Sequence, residues 1–109
     1  MEPLERRAVD RRKTLLGGII VHGASGLTLD CTVRNLSDAG ALVGIRSAEH
    51  LTSPIALLVP AMDQAFEAIV KWGVRANLGL SFVRALSLDD PQSDLEKTIW
   101  RLWRERRAR

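Results

Sequence analysis

Between Leu27 and Asn35 apolar and polar residues alternate without a break, Leu27, Leu29, Cys31 and Val33 falling on one face and Thr28, Asp30, Thr32 and Arg34 on the other. A period of two marks a half-buried strand. Residues 14–22 form an apolar, β-branched run, and Gly23-Ala24-Ser25-Gly26 is a small connector suited to a hairpin between the two. Ser37-Asp38-Ala39-Gly40 then turns the chain into a third apolar stretch, residues 41–45. Residues 47–53 read as a polar linker with room for one helical turn, ended by Pro54, and residues 55–59 as a fourth strand. Residues 60–63 break the pattern, residues 65–72 resume it, and Leu78, Leu80 and Phe82 alternate on a last strand. Six short strands with tight connections predict an all-β fold, a six-stranded antiparallel barrel whose closure removes exposed edges.

Helical signals occur only at the end of the chain. Asp89 or Asp90 is placed to cap, Pro91 suits a first helical position, and Asp94 and Glu96 precede a cationic last turn, as the helix dipole favours. Residues 92–107 are therefore predicted to be helical. Leu95, Ile99, Leu102 and Trp103 make a stripe expected to pack on the barrel, with Arg101, Arg104 and Arg107 facing solvent and Trp100 beside the stripe.

At 109 residues the chain fits one compact unit. It divides into an arginine-rich segment, 1–13, a barrel, 14–88, and a basic helix, 89–109. Formal net charge is +3, but residues 1–13 carry five Lys and Arg against three acids and residues 97–109 six against one. Positive charge is thus concentrated at the two ends of a mildly acidic body, which is where an anion is expected to bind. A single cysteine, Cys31, excludes an internal disulfide and reads as a small buried apolar residue. No segment approaches the ~18 apolar residues of a membrane span, and the acidic, arginine-rich start lacks the apolar stretch of a secretory signal, so a cytoplasmic location is expected.

Two short motifs carry the chemistry. The first is Arg6-Arg7-Ala8-Val9-Asp10-Arg11-Arg12, which contains RxxxR; the second is Asn35-Leu36-Ser37-Asp38-Ala39-Gly40, or NxSxxG. Guanidinium groups match phosphate oxygens or a guanine O6/N7 edge bidentately and also stack on bases. Asn35 both donates and accepts, Ser37 is a compact hydroxyl, and Gly40 allows a conformation or close approach that a Cβ would block. Each motif alone is ordinary, a solvated tail or a polar turn. In sequence across one hairpin they make a set suited to an anionic ligand that carries phosphate or a purine edge.

The pair resembles the signature of the PilZ family, small β-barrels that bind the bacterial second messenger cyclic di-GMP. The likeness runs from Glu5 to about Phe82 and includes Val70-Lys71-Trp72 and Gly79-Leu80-Ser81-Phe82. It implies a ligand site formed by Arg6, Arg7, Arg11, Arg12, Asn35, Ser37 and Gly40, with Asp38, Trp72 and Gly79 as accessories. Arg7 and Arg11 would contact guanine and phosphate, and Arg6 would favour an intercalated pair of ligand molecules. Asp10 departs from the pattern by placing a carboxylate among the arginines. The implied role is a receptor or adaptor whose arginine segment closes over the ligand and presents a new surface to a downstream protein in motility, polysaccharide or biofilm control. The chain is expected to act as a monomer or weak homodimer.

Other classes fit less well. A basic barrel that binds RNA or DNA is the main alternative, but only Phe66, Trp72 and Phe82 are available on strands and there is no tyrosine. No carboxylate pair, triad or phosphate-cradling loop marks an enzyme, and the two histidines and one cysteine lack metal-ligand spacing. A barrel of this type that has lost its ligand and works through protein contacts is a third reading.

Overall fold

The structure is a computed structural model that describes residues 12–22, 26–46, 51 and 54–107, the side chains of residues 12–14 excepted. Six strands, β1 (Arg12–His22), β2 (Thr28–Leu36), β3 (Gly40–Gly44), β4 (Ile55–Val59), β5 (Gln64–Val74) and β6 (Asn77–Ala85), precede one helix, α1 (Asp94–Arg107). All neighbours are antiparallel and the sheet closes in the order β1-β2-β3-β6-β5-β4, the barrel that the strand pattern predicts. A 3-10 turn, Pro60–Met62, supplies the break between β4 and β5. β1 starts at Arg12, two residues earlier than the apolar run indicated, because Arg12 and Lys13 pair with Leu36 and Asn35. The linker at 47–53 lies mostly outside the described residues.

Two apolar clusters hold the fold. Inward side chains, among them Ile20, Val33, Val43, Leu57 and Leu78, fill the barrel. Outward residues of β1 and β4, Ile19, Val21, Ala56 and Leu58, pack instead under Ile99 of α1, with Leu95, Leu102 and Trp103 around it. This two-sided covering explains why all five residues of β4 are buried and why its sequence does not alternate. Leu27, expected on the buried face, is 56% exposed because β2 begins only at Thr28.

The helix is capped by Ser93, not by Asp89 or Asp90. Glu96 donates its backbone N–H to Ser93 Oγ at 3.1 Å, and the Glu96 carboxylate accepts from the N–H groups of Ser93 and Gln92 at 3.4 and 2.9 Å. Ser-x-x-Glu is a capping box, which outcompetes the earlier Asp residues because it satisfies donors at both ends of the first turn. Pro91 consequently precedes the helix. Glu96 also accepts from Ser87 N–H at 2.9 Å, tying the helix start to the segment after β6. At the other end Trp103 Nε1 donates to Asp63 at 2.9 Å and Arg106 pairs with Asp30 at 3.1 Å.

Candidate ligand-binding face

One row of residues crosses four strands at the same height. Asn35 is paired with Leu42, Leu42 with Gly79, and Gly79 with Trp72, while Lys13 of β1 lies on the other side of Asn35. From Asn35 to Trp72 this row runs about 14 Å across the outer wall, at the usual strand spacing.

Two β-bulges put the end members there. In β2 the register slips between Val33 and Asn35, so that Arg34 is the extra residue, Leu36 takes the inward position, and Asn35 joins the outer wall. In β5 it slips between Val70 and Trp72 with Lys71 as the extra residue. Without that bulge Trp72, two residues after the core-packed Val70, would point into the barrel. It is instead 47% exposed. Bulges commonly re-aim side chains at barrel rims and beside functional sites.

The two glycines allow close packing. A Cβ on Gly40 would overlap the backbone carbonyl of Leu80, and one on Gly79 would overlap the indole Nε1 and Cε2 of Trp72. Gly40 therefore acts by letting β3 and β6 approach. Gly79 provides the floor on which the indole rests.

The turn joining β2 to β3 is braced by Ser37. Its backbone N–H donates to Gly40 O at 2.9 Å, and its hydroxyl oxygen accepts from Ala39 N–H at 3.2 Å and Gly40 N–H at 3.3 Å. Phe82 N–H donates to Ala39 O at 2.8 Å and fixes the turn to β6. The hydroxyl also donates to Gly40 O at 3.4 Å, so Ser37 shapes the loop first, its side chain both accepting from and donating to its own turn. Among the described residues no hydrogen bond engages the Asn35 amide.

Together Asn35, Ser37, Gly40, Lys71, Trp72 and Gly79 surround a pocket of about 340 Å³, completed by Leu42, Ser81 and neighbouring backbone. This lies within the range of small-molecule sites. It offers an exposed aromatic, an amide, a hydroxyl and one lysine. Asp38 is exposed on the turn and does not line it. Arg6, Arg7 and Arg11 lie outside the described residues, and Arg12 is described as backbone only, opposite Leu36 and so between Asn35 and Ser37.

The sequence reading missed Lys71, Leu42 and Ser81 as wall residues. Lys71 was visible between Val70 and Trp72, but only the bulge brings it to the same side as Trp72. Among the described residues, no three His, Cys, Asp or Glu side chains are grouped as metal ligands would be, and no helix is long and apolar enough to cross a membrane. No family model matches the chain, and no curated protein matches its sequence.

Proposed function

We propose that the chain is a cyclic di-GMP receptor of the PilZ type, which binds the messenger in the pocket between Asn35 and Trp72 under arginines 6, 7, 11 and 12. The observation that carries this reading is the register of β1. Arg12, which directly follows the RxxxR motif, is opposite Leu36, so the described chain joins the barrel beside NxSxxG from that residue on. Guanidinium groups arriving there would meet a wall that already holds an amide, a lysine and an indole face. Phosphates pair with the forks, and a guanine stacks on Trp72 while its edge is read by arginine.

Closure of the arginine segment over the ligand then turns nucleotide concentration into a new surface for a partner protein. The proposal carries with it a cytoplasmic location and a role in motility, polysaccharide or biofilm control. Arg6 favours two ligand molecules per chain. The nucleic-acid alternative draws less support, because Phe66 and Phe82 stack on each other, with centroids 4.0 Å apart and planes within 2°, leaving Trp72 as the sole exposed strand aromatic among the described residues.

Calorimetry with cyclic di-GMP on the wild type, Arg7→Ala, Asn35→Ala and Ser37→Ala tests the proposal. Losing one charge-assisted contact at Arg7 should weaken binding about tenfold to hundredfold. Amide exchange across residues 5–13 should slow when ligand is added. Undetectable binding in the wild type, or equal binding of any single-stranded oligonucleotide with a steep salt dependence, would refute it.

A further inference from the structure

The flank of α1, bordering the face that packs on the barrel, carries a second concave surface. Trp100, Trp103, Arg104 and Arg107 surround a groove of about 390 Å³. The Arg104 guanidinium lies 4.9 Å from the Trp100 ring centroid, and that of Arg107 lies 5.0 Å from the Trp103 centroid, each at the i, i+4 spacing. A cation–π contact of this kind positions the guanidinium and leaves N–H donors for an anion. Among the described residues no carboxylate pairs with Arg104 or Arg107, whereas Arg106 on the same turn is paired with Asp30.

We infer that this groove is a docking site for an acidic segment of a partner protein, one that seats an apolar side chain between the two indoles and brings carboxylates to Arg104 and Arg107. Tryptophan and arginine are the side chains most enriched at interface hot spots, and here each arginine is held ready by its own tryptophan. A second copy of the chain is a poor occupant, because a two-fold contact would bring these unpaired cations against themselves. The groove also stands apart from the dinucleotide pocket. α1 lies over β1 and β4, while the pocket is centred on β3 and β6, on the opposite side of the six-stranded ring, with its edges on β2 and β5. Both surfaces are therefore accessible at once, and this inference does not rest on the identity of the ligand.

The probe is a synthetic peptide of aspartate and glutamate with one central Leu-Phe pair, titrated into the full chain while the indole N–H resonances of Trp100 and Trp103 are followed by NMR. The same peptide with asparagine and glutamine in place of the acids, a single-stranded oligonucleotide, and phosphatidylserine vesicles serve as comparisons. Saturable shifts of both indoles by the acidic peptide alone are expected. The affinity should drop by about tenfold in Trp100→Ala and in the double variant Arg104→Ala with Arg107→Ala. Arg104→Lys, which keeps the charge and loses the fork, should fall between, and Asn35→Ala should bind the peptide like the wild type. Thermal melts of each variant establish that α1 is still docked. Absence of saturable shifts, equal shifts with the uncharged peptide, or tighter binding of oligonucleotide or vesicles would overturn the inference.

Discussion

The five-membered edge of the Trp72 indole occupies the space where a side chain at Gly79 would begin. The two residues are cross-strand partners, so the aromatic covers bare backbone and leaves its remaining surface to the pocket. In Gly79→Ala the indole must swing aside. As Trp72 is half exposed, the stability cost should stay below about 1 kcal/mol, within the range of changes outside the core. Affinity for cyclic di-GMP should nevertheless fall by about tenfold or more, as in Trp72→Ala, because base stacking contributes about 1–3 kcal/mol. Calorimetry and denaturation on the same samples separate the two effects, and unchanged affinity in both variants would remove Trp72 from the site.

Gly40 should behave differently. A Cβ there meets the Leu80 carbonyl, which cannot move without parting β3 from β6. Gly40→Ala is expected to cost about 1–3 kcal/mol by overpacking. Gly17→Ala, where a Cβ would have open space, is the control and should change little. Equal urea midpoints for the two variants would show that the close approach of β3 and β6 is not needed.

Glu96 gives stability a dependence on pH. The backbone N–H groups of Ser87, Gln92 and Ser93 and the nearby Arg84 guanidinium hold its carboxyl below the ordinary carboxylate range, against the opposing effect of burial. A lowered folded-state value means that the stabilisation is fully present above the unfolded-state value and disappears as pH falls through the folded one. Glu96→Gln should melt at a lower temperature at neutral pH, since one amide –NH2 would face an N–H donor. It should also show a shallower loss on the acid side. Melting curves that run parallel for both proteins from neutral to acid pH would contradict this.

Burial pushes the Cys31 thiol up to about 12, with the Asp30 carboxylate adding to the shift. Thiolate is the reactive form. At pH 8 the native protein should resist a disulfide reagent such as dithionitrobenzoate and react at once in denaturant. Rapid labelling of the native state would mean that the barrel wall opens readily around β2.

Much of this architecture can be read from residue pattern, and the exceptions share one cause. Alternation located β2 and β6 and an apolar run located β4, while the spacing of Leu95, Ile99, Leu102 and Trp103 anticipated the face of α1 that packs. What periodicity does not carry is a slip of register. The extra residues Arg34 and Lys71 break no local preference, yet they decide that Asn35 and Trp72 reach the outer wall. The roles of Gly40 and Ser37 were half legible, the close approach and the turn being anticipated, but not that the Ser37 hydroxyl accepts from its own loop. Capping by Ser93 was missed because Asp89 and Asp90 offered a plausible earlier start, and only the Ser-x-x-Glu spacing distinguishes them.

β4 is sandwiched between the barrel interior and α1, and β1 shares that position over Ile19 and Val21. Lifting the helix would wet the outer sides of the two strands that close the ring, so helix detachment and barrel rupture amount to one event. Circular dichroism at a helical wavelength and fluorescence from the tryptophans should consequently trace a single coincident melting transition. A helix so placed is a structural stave of the cylinder, as necessary to its closure as the strands it covers.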